Sequence, residues 1–123
     1  MKTINELKEI TRKFFTDNGL IEEKTFLNVE TTYFTKEKCE VKRPKYIDYK
    51  GNECSGLEVE GRILEVTELY RSNGTSENAS IEIAIVEYHK KSGRRIFREK
   101  MYVRNGDKKI NAILASAVAA YKN

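Results

Sequence analysis

A dense cluster of positive charge between residues 90 and 109 is the part of this sequence best suited to chemistry. The segment holds nine basic and two acidic residues, a net charge of +7, whereas the whole chain of 123 residues has a net charge of +4. Tyr88, Phe97 and Tyr102 are interspersed with these cations. Cations attract phosphates and aromatic rings stack on bases. The pattern therefore predicts binding of nucleic acid or of an anionic nucleotide.

These charges fall on a predicted β-hairpin. Apolar residues alternate over residues 80–88, a polar turn follows at Lys90-Lys91-Ser92-Gly93, and residues 95–104 form the returning strand. Because alternate side chains of a strand point to opposite faces, this strand is expected to have an apolar face and a basic face. The expected apolar face holds Phe97, Glu99, Met101 and Val103, and the expected basic face holds Ile96, Arg98, Lys100, Tyr102 and Arg104.

The basic face has a spacing that suits phosphates. Side chains on one face of a strand stand about 7 Å apart, comparable to the spacing of phosphates along an extended single strand. A second basic run, Lys42-Arg43-Pro44-Lys45-Tyr46, would form the other wall of a groove if it folds beside the hairpin, and Arg62 and Arg71 would lengthen that groove. The residues predicted to bind nucleic acid are Lys42, Arg43, Arg62, Arg71, Tyr88, Lys90, Lys91, Arg94, Arg95, Arg98, Lys100, Tyr102 and Arg104.

The remaining residue patterns do not predict catalysis, a cofactor or a metal site. His89 is the only histidine and has no serine or cysteine nucleophile close to it in the sequence. Cys39 and Cys54 lie fifteen residues apart, without metal-ligand spacing, and are expected to be reduced structural thiols. The chain has no glycine-rich phosphate loop. We therefore expect a non-catalytic protein without a cofactor.

Two helices are predicted near the ends of the chain. Thr3 and Glu6 form a capping box for a helix over residues 4–18, and Gly19 is suited to the left-handed position that ends it. A C-terminal helix is predicted by an apolar stripe at helical spacing, which consists of Ile110, Ile113, Leu114, Ala117, Val118 and Tyr121. This stripe packs on the sheet in one interpretation and forms a homodimer contact between helices in the other.

The middle of the chain is predicted to be β-structure. Strands are indicated at residues 26–34 and 39–42, and at 46–49 before a turn at Lys50-Gly51-Asn52. A longer strand from Leu57 to Tyr70 changes the phase of its apolar pattern. One extra residue in a strand produces such a change, so we expect a bulge or sharp bend between Gly61 and Leu64.

These elements predict an α+β protein formed by a single domain, residues 1–123. An N-terminal helix, about five mostly antiparallel strands in a curved sheet or small OB-like barrel, and a C-terminal helix packed on that sheet are expected. No apolar run approaches the roughly 20 residues of a membrane span, and the first 20 residues have no apolar signal-peptide core. The expected location is cytoplasmic, with no membrane partner.

Residues 59–106 resemble the bacterial single-stranded DNA-binding protein family. Val59-Glu60-Gly61-Arg62-Ile63-Leu64 is similar to the opening strand of that family, and the segment from Glu68 to Thr75 looks like its segment ending in Gly-Thr. Ser80 to Val86 is similar to the next strand, and the lysine-rich hairpin with Gly93 resembles an arm of the family. The resemblance implies an OB fold that binds single strands without sequence specificity. This chain differs in having no tryptophan and in having residues 1–58 ahead of the first matching strand.

Two classes of function fit the sequence. The first is a nucleic-acid-binding protein, with a single strand as the favoured ligand and little sequence preference. The second is a small interaction or inhibitor protein of a phage-like mobile element, which docks on an acidic partner or holds an anionic nucleotide at a dimer interface. In the alternative to both functions, the basic hairpin face is a solvated surface that protects a sheet edge.

Overall fold

The computed structural model describes residues 3–23, 31–38, 45–55, 61–69, 79–88, 95–104, 106 and 108–123. Two helices and seven strands lie in these ranges. The helices are α1 (Ile4–Asp17) and α2 (Ile110–Lys122). The strands are β1 (Ile21–Glu23), β2 (Thr31–Thr35), β3 (Lys45–Ile47), β4 (Glu53–Ser55), β5 (Gly61–Leu69), β6 (Ser80–Tyr88) and β7 (Arg95–Arg104).

Local signals set both ends of α1, as predicted. The Thr3 side chain accepts a hydrogen bond of 3.2 Å from the Glu6 backbone N–H, which satisfies one of the free donors of the first turn. Gly19 has a positive φ of 84°, and the following Leu20 N–H donates to the Phe15 carbonyl at 3.0 Å. This is the Schellman arrangement that ends a helix at glycine.

The strands form an open antiparallel sheet and a separate hairpin. The sheet order is β1-β2-β5-β6-β7, and β3 pairs only with β4 in the described residues. β1 and β7 are the two edge strands of this sheet. The α+β class is therefore confirmed with an open sheet, and the closed barrel that the sequence left open is not observed in the described residues.

Several predicted elements agree with the structure. β6 and β7 match the two predicted strands of the basic hairpin, β2 matches the end of the strand predicted at 26–34, and the turn at Lys50-Gly51-Asn52 joins β3 to β4. The predicted strand at 39–42, the first part of the strand predicted from Leu57, and the turn at 90–93 lie outside the described residues. The helix α2 begins at Ile110.

Both helices pack on one face of the sheet, called the helix side below. Phe15 of α1 meets Phe34 of β2 edge to face, with ring centroids 5.2 Å apart. Leu114, Ala117, Val118 and Tyr121 of α2 are buried in the same cluster, with Ile110 and Ile113 packed against it. The interpretation that the apolar stripe of α2 packs on the sheet is thus confirmed.

The opposite face of the sheet, called the outer side below, also buries side chains. Tyr33, Ile63, Ala84, Val86 and Tyr88 form a second cluster there, each 6% exposed or less. A sheet buried on both faces has apolar residues at consecutive positions instead of at alternate ones.

This two-sided burial corrects the bulge predicted in the long strand. Ile63 and Leu64 are both fully buried, one in each cluster. The pairing of β5 with β6 runs without interruption from Gly61 opposite Tyr88 to Leu69 opposite Ser80. The change of phase therefore marks a strand with two buried faces, and the predicted bulge is wrong for residues 61–69. The sharp bend, which was the other form of this prediction, stays a prediction; Gly61 has a positive φ of 95°.

Candidate nucleic-acid interface

A bulge in β7 decides which of its side chains share a face. Ile85 of β6 pairs with Glu99, and the next residue, Val86, pairs with Phe97, so Arg98 is an extra residue in β7. Ile85 lies in the helix-side core and Val86 in the outer cluster. Phe97 therefore lies on the outer side with Lys100. The prediction that Phe97 shares the apolar face was wrong because the period of two was counted across the bulge.

The corrected register defines a surface that we call the β7 outer face: Arg95, Phe97, Lys100, Tyr102 and Arg104. Phe97 and Tyr102 are 42% and 43% exposed. The Arg95 Cζ and the Lys100 Nζ each lie 4.1 Å from the centroid of the Phe97 ring, which shows that these three side chains meet on one side of the sheet. Exposed rings and cations thus alternate along this surface.

Glu65 of β5 lies under one end of the β7 outer face. Its side chain is 2% exposed, and its two carboxylate oxygens have different partners. Oε1 accepts a hydrogen bond from the Tyr88 hydroxyl, and Oε2 pairs with Nη2 of Arg95. A buried carboxylate needs such compensation, since an unpaired charge in the interior is very costly.

Burial governs the ionisation of this group of residues. Desolvation, followed by the hydrogen bond to Glu65 and its negative charge, raises the pKa of Tyr88 well above its ordinary value of 10.0. Desolvation is the largest single effect and acts to lower the pKa of Arg95, but the charge of Glu65 and its hydrogen bond, together with Tyr88, outweigh desolvation, and the pKa is raised. Tyr88 is thus a buried neutral donor that orients Glu65. It was predicted among the nucleic-acid-binding residues, yet its ring lies in the outer cluster and not on the surface.

A second carboxylate, that of Glu87 in β6, forms ion pairs with two arginines on the helix side. Its Oε1 lies 3.0 Å from Arg62 Nη2 and 3.0 Å from Arg98 Nε. Arg62 also donates from Nη1 to the Tyr121 carbonyl at 2.9 Å, at the C-terminal end of α2. Hydrogen bonds from Arg98 and then from Arg62 hold the pKa of Glu87 below its ordinary value of 4.5.

The structure therefore separates the predicted site residues into two groups. Arg62 and Arg98 are brought together on the helix side, away from the face that Lys100 and Tyr102 occupy. Lys100 Nζ lies 3.9 Å from Glu82 Oε1, and both side chains of this pair are partly exposed. The predicted residues that lie outside the described ranges are Lys42, Arg43, Arg71, Lys90, Lys91 and Arg94.

Sequence reasoning left three residues that shape this surface out of the predicted binding site: Phe97, Glu65 and Glu82. Glu65 had a detectable signal, since it lies in the middle of a strand between the apolar residues Leu64 and Val66. A carboxylate in the middle of a buried strand requires a buried partner. Phe97 had no comparable signal, because the bulge depends on the pairing of β7 with β6.

The β3–β4 hairpin, which is separate from the β7 outer face, exposes three large apolar side chains. Tyr46, Ile47 and Tyr49 are 53%, 73% and 92% exposed. Asp48 organises the turn, because its Oδ1 accepts backbone N–H bonds from Lys50 and Asn52 at 2.9 and 2.8 Å. The bond from Asn52 is the main reason that the pKa of Asp48 lies below its ordinary value of 3.8.

The described ranges contain neither a cluster of metal ligands nor a membrane-spanning helix. In residues 3–23, 31–38, 45–55, 61–69, 79–88, 95–104, 106 and 108–123, no three His, Cys, Asp or Glu side chains cluster as metal ligands would. Cys54 is a free thiol. Within the same part of the chain, no helix is long and apolar enough to cross a membrane.

Comparisons of the chain with models of known protein families, with curated proteins and with solved structures found no match.

Proposed function

We propose that this protein binds single-stranded nucleic acid on the β7 outer face. The observation that supports the proposal best is the bulge at Arg98, since it aligns Phe97 with Lys100 and Tyr102 on one exposed surface. Without that extra residue, Phe97 would lie on the helix side. The corrected register thus yields two exposed rings with basic side chains between and beside them.

A single strand fits this surface better than a duplex. Stacking on Phe97 and Tyr102 requires the flat faces of bases, and these faces are covered inside a duplex. β7 is an edge strand of the described sheet, and eight of its ten residues are exposed, the exceptions being Met101 and Val103. Stacking is tolerant of sequence, so little sequence preference is expected.

The proposal is tested by fluorescence anisotropy with labelled single-stranded DNA, single-stranded RNA and duplex DNA over a series of salt concentrations. The wild-type protein is expected to bind the single strands more tightly than the duplex, and its affinity should fall as salt rises because phosphate contacts release counterions. Lys100→Glu should weaken binding strongly. Lys13→Glu makes the same charge change on an exposed position of α1 and serves as the matched control.

Three results would contradict the proposal: no binding by the wild-type protein, affinity that is independent of salt, or equal losses in Lys100→Glu and Lys13→Glu. Circular dichroism of each variant checks that the fold is retained.

A second candidate function, docking on a protein partner, is supported by the β3–β4 hairpin. Tyr46, Ile47 and Tyr49 expose an apolar surface at its turn, and exposed apolar patches are common at protein interfaces. A pull-down with the wild-type protein after nuclease treatment tests this function. A partner retained by the wild type and lost in Ile47→Ser/Tyr49→Ser would support it, whereas loss of all partners on nuclease treatment would support nucleic-acid binding.

A further inference from the structure

The guanidinium of Arg95 is held in place from two sides. Its Nη2 pairs with Glu65 Oε2, and its Cζ lies 4.1 Å from the centroid of Phe97. Glu65 is in turn fixed by the Tyr88 hydroxyl, which donates to the other carboxylate oxygen. A planar cation stacked on a ring and anchored by a buried acid is more rigid than a free arginine side chain.

This anchoring limits what Arg95 can bind. A phosphate that took Arg95 away from Glu65 would leave a carboxylate that is 2% exposed without its cation, which is strongly unfavourable. A base that stacks on the flat face of the guanidinium leaves the pair between Arg95 and Glu65 intact. Arg95 is therefore suited to stacking and poorly suited to releasing Glu65 for a phosphate.

Lys100 differs in this respect. Its Nζ lies 3.9 Å from Glu82 Oε1, and the Lys100 side chain is 41% exposed. An ion pair in contact with solvent contributes little, so a phosphate can replace Glu82 at small cost. The same ring, Phe97, thus has an anchored cation and an exchangeable cation next to it.

We propose that Arg95 and Phe97 form a preorganised stacking platform for an unpaired base, that Glu65 and Tyr88 are its positioning residues, and that Lys100 is the phosphate contact beside it. The inference rests on the proposed function and assigns different parts of the ligand to different residues. Bases stack on guanidinium planes and on aromatic rings, whereas an ammonium group acts as a point charge for a phosphate.

The test compares a short single-stranded DNA with a fully abasic strand of the same length, which keeps the phosphates and lacks the bases. Arg95→Lys keeps the charge and removes the planar surface. This variant should bind the base-bearing strand about tenfold more weakly, as expected for loss of one stacked base, and should bind the abasic strand as the wild type does. The dependence of its affinity on salt should be unchanged.

Lys100→Gln should show the opposite pattern. It should weaken binding of both strands by the same factor and reduce the slope of log affinity against log salt by about 0.7, the value for one phosphate contact on a single strand. Glu65→Gln should follow the pattern of Arg95→Lys, because it loosens the anchor without touching the ligand. Glu82→Gln is a matched removal of one carboxylate from the same face, and it should strengthen binding of both strands.

The results separate this inference from the proposed function. If the wild type binds neither strand, the proposed function is overturned and the platform with it. If the wild type binds but Arg95→Lys loses affinity equally for the two strands, or loses none, the platform alone is overturned. Arg95 is partly exposed, so this variant keeps the test valid even if Glu65→Gln fails to fold.

Discussion

Two carboxylates, Glu65 and Glu87, each hold an arginine of β7, but they do so in opposite surroundings. Glu65 is 2% exposed on the outer side, where Tyr88 and Arg95 occupy its two oxygens. The Glu87 side chain is 25% exposed on the helix side, where Arg62 and Arg98 share one oxygen. The chemical groups are nearly the same, so burial is what distinguishes a fixed anchor from an exchangeable surface pair.

The largest expected difference between the Glu65 and Glu87 ion pairs is in the free energy of unfolding. Glu65→Ala leaves Arg95 without its buried partner and the Tyr88 hydroxyl without an acceptor, and should cost about 3 kcal/mol. Glu87→Ala, the matched control, should cost much less because water replaces the lost contacts. Urea denaturation monitored by circular dichroism measures both values. Equal losses of stability in the two variants would show that burial does not distinguish the Glu65 ion pair from the Glu87 ion pairs.

A smaller effect is expected on nucleic-acid affinity. Phe97→Ala removes the ring on the outer side and should weaken binding of single-stranded DNA by about 2 kcal/mol, within the range for one stacked base. Ile96→Ala changes the adjacent residue, which pairs with Glu87 on the helix side, and should have little effect. Fluorescence anisotropy at one salt concentration measures this difference. A larger loss of affinity in Ile96→Ala than in Phe97→Ala would show that the ligand binds on the helix side of the sheet, which would contradict the proposal.

The next effect concerns alkaline pH. The raised pKa of Tyr88 means that the unfolded chain loses this proton first, so stability is unaffected below about pH 10 and declines above it. The contribution of Tyr88 should be a loss of about 1 kcal/mol between pH 10 and 11, which Tyr88→Phe abolishes. Tyr49→Phe removes a hydroxyl from a 92% exposed side chain and controls for the other tyrosines. If stability declined equally with pH in the wild type and in Tyr88→Phe, the Tyr88 hydroxyl would not be the cause of the decline.

The smallest effect should appear in acid. Hydrogen bonds from Arg98 and Arg62 lower the pKa of Glu87, so its contribution to stability is complete above about pH 4.5 and is lost as pH falls through the lowered value. Glu87→Gln should flatten the decline in stability below pH 4.5, as followed by urea denaturation at several pH values. Glu53→Gln, on the β3–β4 hairpin, is a control for removal of an exposed carboxylate. An acid decline that is as steep in Glu87→Gln as in the wild type would exclude this role.

Much of the fold was predictable because its signals are local. Thr3 and Gly19 set the ends of α1 through bonds to residues within five positions along the chain. The apolar stripe of α2 contains the residues of that helix that the structure buries, Leu114, Ala117, Val118 and Tyr121. The predicted bulge in β5 failed because alternation alone cannot distinguish an extra residue from a strand that is buried on both faces.

The candidate site was less predictable, because its geometry depends on pairs of strands. Arg98 was expected beside Lys100 and Tyr102, but the bulge places it with Glu87. Tyr88 was expected at the surface, but the outer cluster buries it against Glu65. In each case the deciding contact joins residues that are more than ten positions apart.

By itself, the sequence determined the two ends of α1, the strands of the basic hairpin and the concentration of charge at residues 90–109, since these depend on neighbouring residues and on composition. The tertiary structure decided which of those charges share a surface. The register between β6 and β7 brings Phe97 to the outer side, and the burial of Glu65 anchors Arg95 there. Register and burial arise only when distant segments pack together, which is why the order of residues in β7 did not reveal them.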